Sequence, residues 1–228
     1  MDEIASNYAR VSEQVVRAAE RAGRSADEVT LVCAAKTKGP EVVRAALQAG
    51  ATDIGENYVQ EAQHKIRVIP EPANWHLIGH LQRNKAKLAV SLFRLVHSLD
   101  SLSLATELDR QGAKQGITVH ALVEVNLAAE ETKSGVRPDA LDALFEGVSS
   151  LSHLQIDGLM AIPPAVSDPN EARPYFRTLA RLRERYARLG ATRMPLRELS
   201  MGTTQDFSVA IEEGATIVRV GRAIFGER

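Results

Sequence analysis

The chain has one cysteine, Cys33, among 228 residues. That excludes an intramolecular disulfide and a cysteine-based metal cluster, and it fits a reducing compartment. No apolar run approaches the ~20 residues that cross a bilayer. The opening Met1-Asp2-Glu3 is acidic and lacks the apolar segment of a secretory signal. A cytoplasmic protein with no membrane partner is the expectation. An excess of one charge is missing too: 28 Lys and Arg stand against 29 Asp and Glu, a formal net charge of −1. This balance gives no general drive toward nucleic acid or an anionic surface. Nor is there a Gly-Pro-Ser linker, so residues 1–228 are expected to form one domain.

What is present is an apolar fraction of 44%, enough for a sizeable core. Eight short strand-like runs occur at Val29–Ala35, Thr52–Gly55, Trp75–Gly79, Leu95–Leu99, Ile117–Asn126, Gln155–Ile162, Glu198–Met201 and Thr216–Gly221. Helical patterns lie between them. Leu141, Leu144, Phe145 and Val148 make one apolar stripe; Phe176, Leu179, Leu182, Tyr186 and Leu189 make another. Asp168-Pro169-Asn170-Glu171 predicts a helix start, with a capping aspartate, proline at the first helical position and a glutamate three residues after the cap. Gly50-Ala51-Thr52, Gly190-Ala191-Thr192 and Gly214-Ala215-Thr216 repeat where helices should end, glycine suiting a left-handed cap and threonine suiting strand entry. Strands alternating with helices predict an α/β fold with a parallel sheet, and eight is the number that closes a (β/α)8 TIM-type barrel. An open doubly wound sheet is the alternative. Residues 4–22 add an extra N-terminal helix with Ile4, Tyr8, Val11, Val15 and Ala19 on one side. It is expected to fill the place in the outer ring left by the short tail after the eighth strand.

Lys36 follows the apolar run Leu31-Val32-Cys33-Ala34-Ala35 and precedes the turn signal Gly39-Pro40. Folds of this class put their chemistry at the C-terminal tips of strands. A half-buried amine there has a lowered pKa and suits Schiff-base formation; a surface lysine that happens to follow a strand is the plainer alternative. Cys33, inside the run, reads as a small core residue. In a barrel the same rim would gather the strand-end segments Gly55-Glu56-Asn57, Gly79-His80-Leu81-Gln82, Asn126, Gly158-Leu159-Met160-Ala161-Ile162, Ser200-Met201-Gly202-Thr203-Thr204 and Val218-Arg219-Val220-Gly221-Arg222. Gly221 permits close backbone approach, Arg222 opens a short terminal segment and Ser200 carries a hydroxyl, a combination that resembles an anion site after the last two strands. A lysine beside a phosphate cup points to a phosphorylated aldehyde held covalently, and pyridoxal 5′-phosphate is the commonest such cofactor. Arg219 shares a strand face with Gly221. A guanidinium has only donors, so opposite the pyridine nitrogen it would leave that nitrogen unprotonated and the ring a weak electron sink.

Several segments carry a resemblance that spans residues 33–226. They are Ala35-Lys36-Thr37-Lys38, Gly55-Glu56-Asn57-Tyr58-Val59-Gln60-Glu61, and the run from Trp75 through Gly79-His80-Leu81-Gln82 to Lys85. Further on come Lys133-Ser134-Gly135, Gly158-Leu159-Met160-Ala161-Ile162, Leu199-Ser200-Met201-Gly202, and the run Val218-Arg219-Val220-Gly221-Arg222 to Gly226. In these the chain resembles the pyridoxal phosphate homeostasis protein family, whose barrel is similar to the N-terminal domain of alanine racemase. The resemblance implies Lys36 as the Schiff-base lysine, Arg219 opposite the pyridine nitrogen, and Ser200, Gly221 and Arg222 around the phosphate, the last two mainly through backbone N–H groups. It implies Asn57 and Met160 along the ring. One departure stands out: Thr203-Thr204 occupies a place where the family usually has Met-Ser.

The same resemblance implies a carrier of the cofactor in vitamin B6 homeostasis, with indirect effects on amino-acid and keto-acid pools and with apo forms of pyridoxal phosphate-dependent enzymes as acceptors. The alternative is a weakly active amino-acid racemase. Alanine racemase takes a second acid/base tyrosine from a further domain, which is expected to be missing here, and two-base proton exchange needs one group on each face of the reacting carbon. Lys133 is a candidate for accepting the cofactor during transfer. Arg173, Arg177, Arg181, Arg185 and Arg188 form a basic helix face on which nucleic acid could dock, although a solvated face is the expectation. His76, His80 and His97 lack helical metal-ligand spacing, so no metal site is expected, and His76 is expected to pack or hydrogen-bond inside.

Overall fold

The computed structural model describes residues 2–128, 130, 134–188 and 194–226. Its strands are β1 (Thr30–Ala34), β2 (Asp53–Glu56), β3 (Asn74–Leu77), β4 (Leu95–Leu99), β5 (Val119–Glu124), β6 (Leu154–Met160), β7 (Glu198–Ser200) and β8 (Ile217–Val220). All pair in parallel with their sequence neighbours, and β1 also pairs with β8, closing a barrel. Helices fill the intervals: α1 (Asp2–Arg21), α2 (Pro40–Gln48), α3 (Val59–Val68), α4 (Ala86–Leu92), α5 (Leu102–Gln115), α6 (Leu141–Val148), α7 (Arg173–Ala187), α8 (Phe207–Glu212) and α9 (Arg222–Phe225). The closed ring decides against the open sheet.

Strand runs read as apolar on both faces because each is covered on both. Outward residues such as Cys33, Ile54, Trp75 and Leu159 join the main core beneath the helices, with the α6 stripe and Phe176, Leu179, Leu182 and Tyr186 of α7 packed on it; Leu189 lies outside the described residues. Burial pushes the Cys33 thiol up to about 12, that of an inert core residue. Inward residues Val32, Leu95, Leu122, Met160 and Ile217, with Ile78 against them, form a separate apolar plug inside the barrel. The glycines at the two helix ends described, Gly50 and Gly214, have φ of 103° and 95°; the third repeat, at Gly190, lies outside the described residues.

Three expectations change in detail. Asn126 leaves the β5 ladder because its N–H turns to Val136 O at 2.9 Å, where Val125 and Val136 form an isolated bridge. The segment after Asp168 begins as a 3-10 turn over Pro169–Ala172 before α7 starts, with Asp168 accepting from the Asn170 N–H. Three of the five arginines on the basic face of α7 also form ion pairs: Arg173 with Glu212 and Glu213, Arg177 with Glu213, and Arg185 with Asp142, the last two while more than half exposed. At the ring's seam α1 packs against α8, α9 and α2. Among the described residues no helix is long and apolar enough to cross a membrane.

Candidate cofactor site

Lys36 stands two residues beyond the end of β1, on the inward side that it shares with Val32 and Ala34 by strand alternation, and it is half-buried. The backbone around it is tied to α3. Ala35 O accepts from Lys65 Nζ at 2.9 Å, and that ammonium also meets Glu56 Oε1 at 2.6 Å. Both side chains are buried, and burial raises the Glu56 pKa while Lys65 opposes the rise. Thr37, the next residue, sits at φ 65°, an uncommon conformation for a β-branched residue, and its N–H reaches Glu61 Oε2 at 3.4 Å. Nothing local in the chain signals the Lys65–Glu56 pair, because nine residues and a strand-to-helix turn separate its members.

Arg219 lies deeper in the barrel, in register with Val32 of β1. It is 4% exposed. Its guanidinium donates to Ser200 Oγ and, at 3.1 Å, to Ala161 O beyond β6. Burial lowers its pKa to about 10, with Glu124 and Asp206 pulling the other way, so it stays a cation at neutral pH. Glu124, on the inward face of β5, was not singled out by the sequence. Burial and, less strongly, Asp100 push its pKa up to about 7, against the pull of Arg219 and His80. A lone glutamate inside an apolar strand run was the available signal.

The loops after β7 and β8 are built around two glycines. Gly202 has φ 91°, and a Cβ there would fall 2.6 Å from the Ala210 Cβ and 2.9 Å from the Phe207 Cα. Gly221 lies against β1, where a Cβ would stand 3.1 Å from Ala34 O. The unusual threonines have definite places. Asp206 Oδ1 accepts from the Thr203 N–H at 2.6 Å and from its hydroxyl at 3.1 Å, while Thr204 Oγ1 accepts from the Gly221 N–H at 3.3 Å. Thr204 therefore stitches the two loops together. Arg222 is exposed at the start of α9.

The remaining predicted residues fall around the same mouth. Asn57 is half-buried just after β2, and Gly79 lets the chain pass it: a Cβ at 79 would lie 2.6 Å from Asn57 O. Met160 is fully buried in the inner plug. Ser200 is fully buried, with its hydroxyl inside the barrel between Arg219 and His97. Lys133 lies outside the described residues, whereas Gly135 beside it packs on the β5 backbone near Glu124 and Asn126. His76 and His97 are buried within the barrel, and His80 meets Asp100 at 3.1 Å on the rim. Among the described residues no group of three or more His, Cys, Asp or Glu could hold a metal ion.

The sequence profile of the alanine racemase N-terminal domain matches residues 4–228. A relative from Aquifex aeolicus, named pyridoxal phosphate homeostasis protein, is 45% identical over 220 residues that cover 96% of each chain. The chain belongs to the pyridoxal phosphate homeostasis protein family. A member from Escherichia coli K12 with the same name is 38% identical over all of this chain and 98% of its own length. Among solved structures, PipY of Synechococcus elongatus with pyridoxal phosphate bound superposes with a TM-score of 0.85 at 34% identity, covering 98% of this chain and 100% of that one. The family's barrel is thus reproduced here from end to end.

Proposed function

We propose that this protein holds pyridoxal 5′-phosphate at the C-terminal mouth of its barrel, anchored covalently through Lys36, and serves the homeostasis of that cofactor rather than amino-acid turnover. One observation carries the reading: a half-buried lysine at the tip of β1 shares its mouth with a buried arginine that remains charged. When bound, the cofactor brings an aldehyde carbon for an amine to take, a pyridine nitrogen and a phosphate. The donor set suits each part. Lys36 offers Nζ. Arg219 has five N–H bonds, of which its contacts with Ser200 and Ala161 use two, and others can meet the pyridine nitrogen. The loops carrying Gly202, Gly221 and Arg222 fit the phosphate through backbone N–H groups and one guanidinium. Asn57 and Met160 border the ring. Membership of the family and the cofactor bound in PipY support the assignment.

The acid/base groups support holding rather than turnover. The Tyr8 hydroxyl is engaged by Gly50 O at 3.2 Å and that of Tyr186 by Asp142 Oδ1 at 2.7 Å. Tyr58 is near the mouth but 59% exposed. Lys36 can hold or move a proton on one side of a substrate carbon, and exchange requires a second group on the other. Apo forms of pyridoxal phosphate-dependent enzymes are the acceptors this role calls for. Reduction of the loaded protein with borohydride should fix the cofactor's mass on the peptide containing Lys36; an adduct on another residue overturns the assignment. With alanine as substrate, no D/L interconversion above that of free cofactor is expected. Interconversion that Lys36→Ala abolishes would make the protein a racemase.

A further inference from the structure

The barrel interior contains a line of polar side chains that runs from the mouth opposite Lys36 to Arg219. At the opposite mouth, Asp53 at the start of β2 borders a cavity of about 790 Å3 together with Asn74, Arg94, His120, Asp157 and Glu198. From Asp53 the hydrogen bonds run inward. Asp53 Oδ1 lies 2.9 Å from His76 Nε2, His76 Nδ1 lies 2.9 Å from His97 Nε2, and His97 Nδ1 lies 2.9 Å from Ser200 Oγ. Ser200 Oγ in turn receives the Arg219 guanidinium. Five strands contribute, β2, β3, β4, β7 and β8, and the line crosses the barrel.

The chemistry of its ends sets its direction. A guanidinium only donates, so Ser200 Oγ accepts from Arg219. A carboxylate only accepts, so His76 carries its hydrogen on Nε2. With His76 in its neutral form, its Nδ1 accepts from His97 Nε2, and His97, carrying its one hydrogen there, accepts the hydroxyl hydrogen of Ser200 at Nδ1. The carboxylate end sets this sense, and the guanidinium end fits it, because a hydroxyl that accepts from Arg219 still has its own hydrogen to give. His97 is held neutral by full burial, by His76 and by the nearby Arg219 cation, which keep its pKa well below the ordinary histidine value. Asp53 stays ionised: burial would raise its pKa, but hydrogen bonds from His76 and Thr52 outweigh that and leave it lowered. Glu124 and Asp206 are the other charged groups acting on Arg219.

We propose that Asp53, His76, His97 and Ser200 form a one-way hydrogen-bonded chain that positions the Arg219 guanidinium, with the Asp53 carboxylate at the far mouth as its anchoring end. Asp53 is thereby a positioning residue for the pyridine side of the cofactor, a consequence that rests on the cofactor reading above. The Ser200 hydroxyl hydrogen is committed to His97, so phosphate contacts at that loop fall to backbone N–H groups and to other side chains.

Two measurements test the chain, and the first needs no cofactor. In the unliganded protein labelled with 15N-histidine at pH 8, long-range 1H–15N spectra should show His76 and His97 as neutral rings protonated at Nε2, assigned by loss of signals in His76→Gln and His97→Gln. A hydrogen on Nδ1 of either ring overturns the direction. The second measurement compares Asp53→Asn with Asp53→Glu after loading with pyridoxal 5′-phosphate. Asp53→Asn should keep the adduct on Lys36, bind the cofactor roughly tenfold more weakly, and shift the pH at which the bound chromophore titrates. Asp53→Glu should restore that pH. Identical titration in the parent and Asp53→Asn proteins overturns the positioning role. If the parent takes up no cofactor, the binding proposal fails while the histidine spectra still decide the chain.

Discussion

Gly79 illustrates how one residue sets the position of another. Its missing side chain leaves room for the Asn57 backbone, whose Cα would lie 2.7 Å from a Cβ at 79. Backbone cannot rotate away as a flexible side chain can, so Gly79→Ala should cost roughly 1–3 kcal/mol. It should also weaken cofactor binding by displacing Asn57, as thermal unfolding and cofactor titration would show. Glu124 makes a different prediction. Its carboxyl has an ordinary value of 4.5 and is raised to about 7 in the fold. A group that binds its proton more tightly when folded contributes stability that is fully present below 4.5 and lost as pH rises toward 7. The cofactor-free parent should therefore lose stability relative to Glu124→Gln across that window, by up to about 1.4 kcal/mol per pH unit. Urea unfolding at a series of pH values measures this difference, and a constant gap between the two proteins would refute it. His97, whose pKa burial lowers, contributes with the opposite sign, so the comparison between the two proteins isolates Glu124.

Among the elements, α3 has a role beyond covering the barrel. Lys65 ties it to Ala35 O and Glu56, and Glu61 ties it to the Thr37 N–H, so both neighbours of Lys36 are braced by one helix. Removing one member of a buried ion pair leaves the other charged and unpaired, which costs about 3–5 kcal/mol. Lys65→Met should show a loss of that order in urea unfolding. Lys65→Met combined with Glu56→Gln should recover a large part of it, giving a strong coupling in a double-mutant cycle. The helix stripes were readable in the chain because their apolar residues repeat at helical spacing: Leu141, Leu144, Phe145 and Val148 are all buried. The ties from α3 to β1 were not readable, because they join groups up to 30 residues apart.

For the whole molecule, the closed ring explains α1. Val11, Val15, Ala18 and Ala19 are buried where α1 packs against α8, α9 and α2. Val11→Asp would place a carboxylate at a fully buried position. It should lower the unfolding temperature by many degrees, or leave the protein insoluble; a normal melting curve would show that α1 is dispensable to the ring. The inner plug is small, and the polar side chains of His76, His97, Ser200 and Arg219 are buried inside the barrel with it. A strand with polar inward residues still reads as apolar when its outward residues and neighbours are, which is why β3 and β4 were found without their histidines being linked. His76 was expected to hydrogen-bond inside, and it does. Its partners on β2 and β4 could be named only once the ring had closed.

By itself the sequence determined the alternation of eight strands with helices, the lysine at the tip of the first strand, and the glycines that punctuate the rim. These are local properties, written in hydrophobic period, turn chemistry and backbone freedom. Only the tertiary structure decided which polar groups meet: Lys65 with Glu56, Thr204 with Gly221, and Asp53 with Arg219 through two histidines and a serine. Those meetings depend on parallel register and ring closure, which bring distant strands within hydrogen-bond reach and which no window of neighbouring residues encodes.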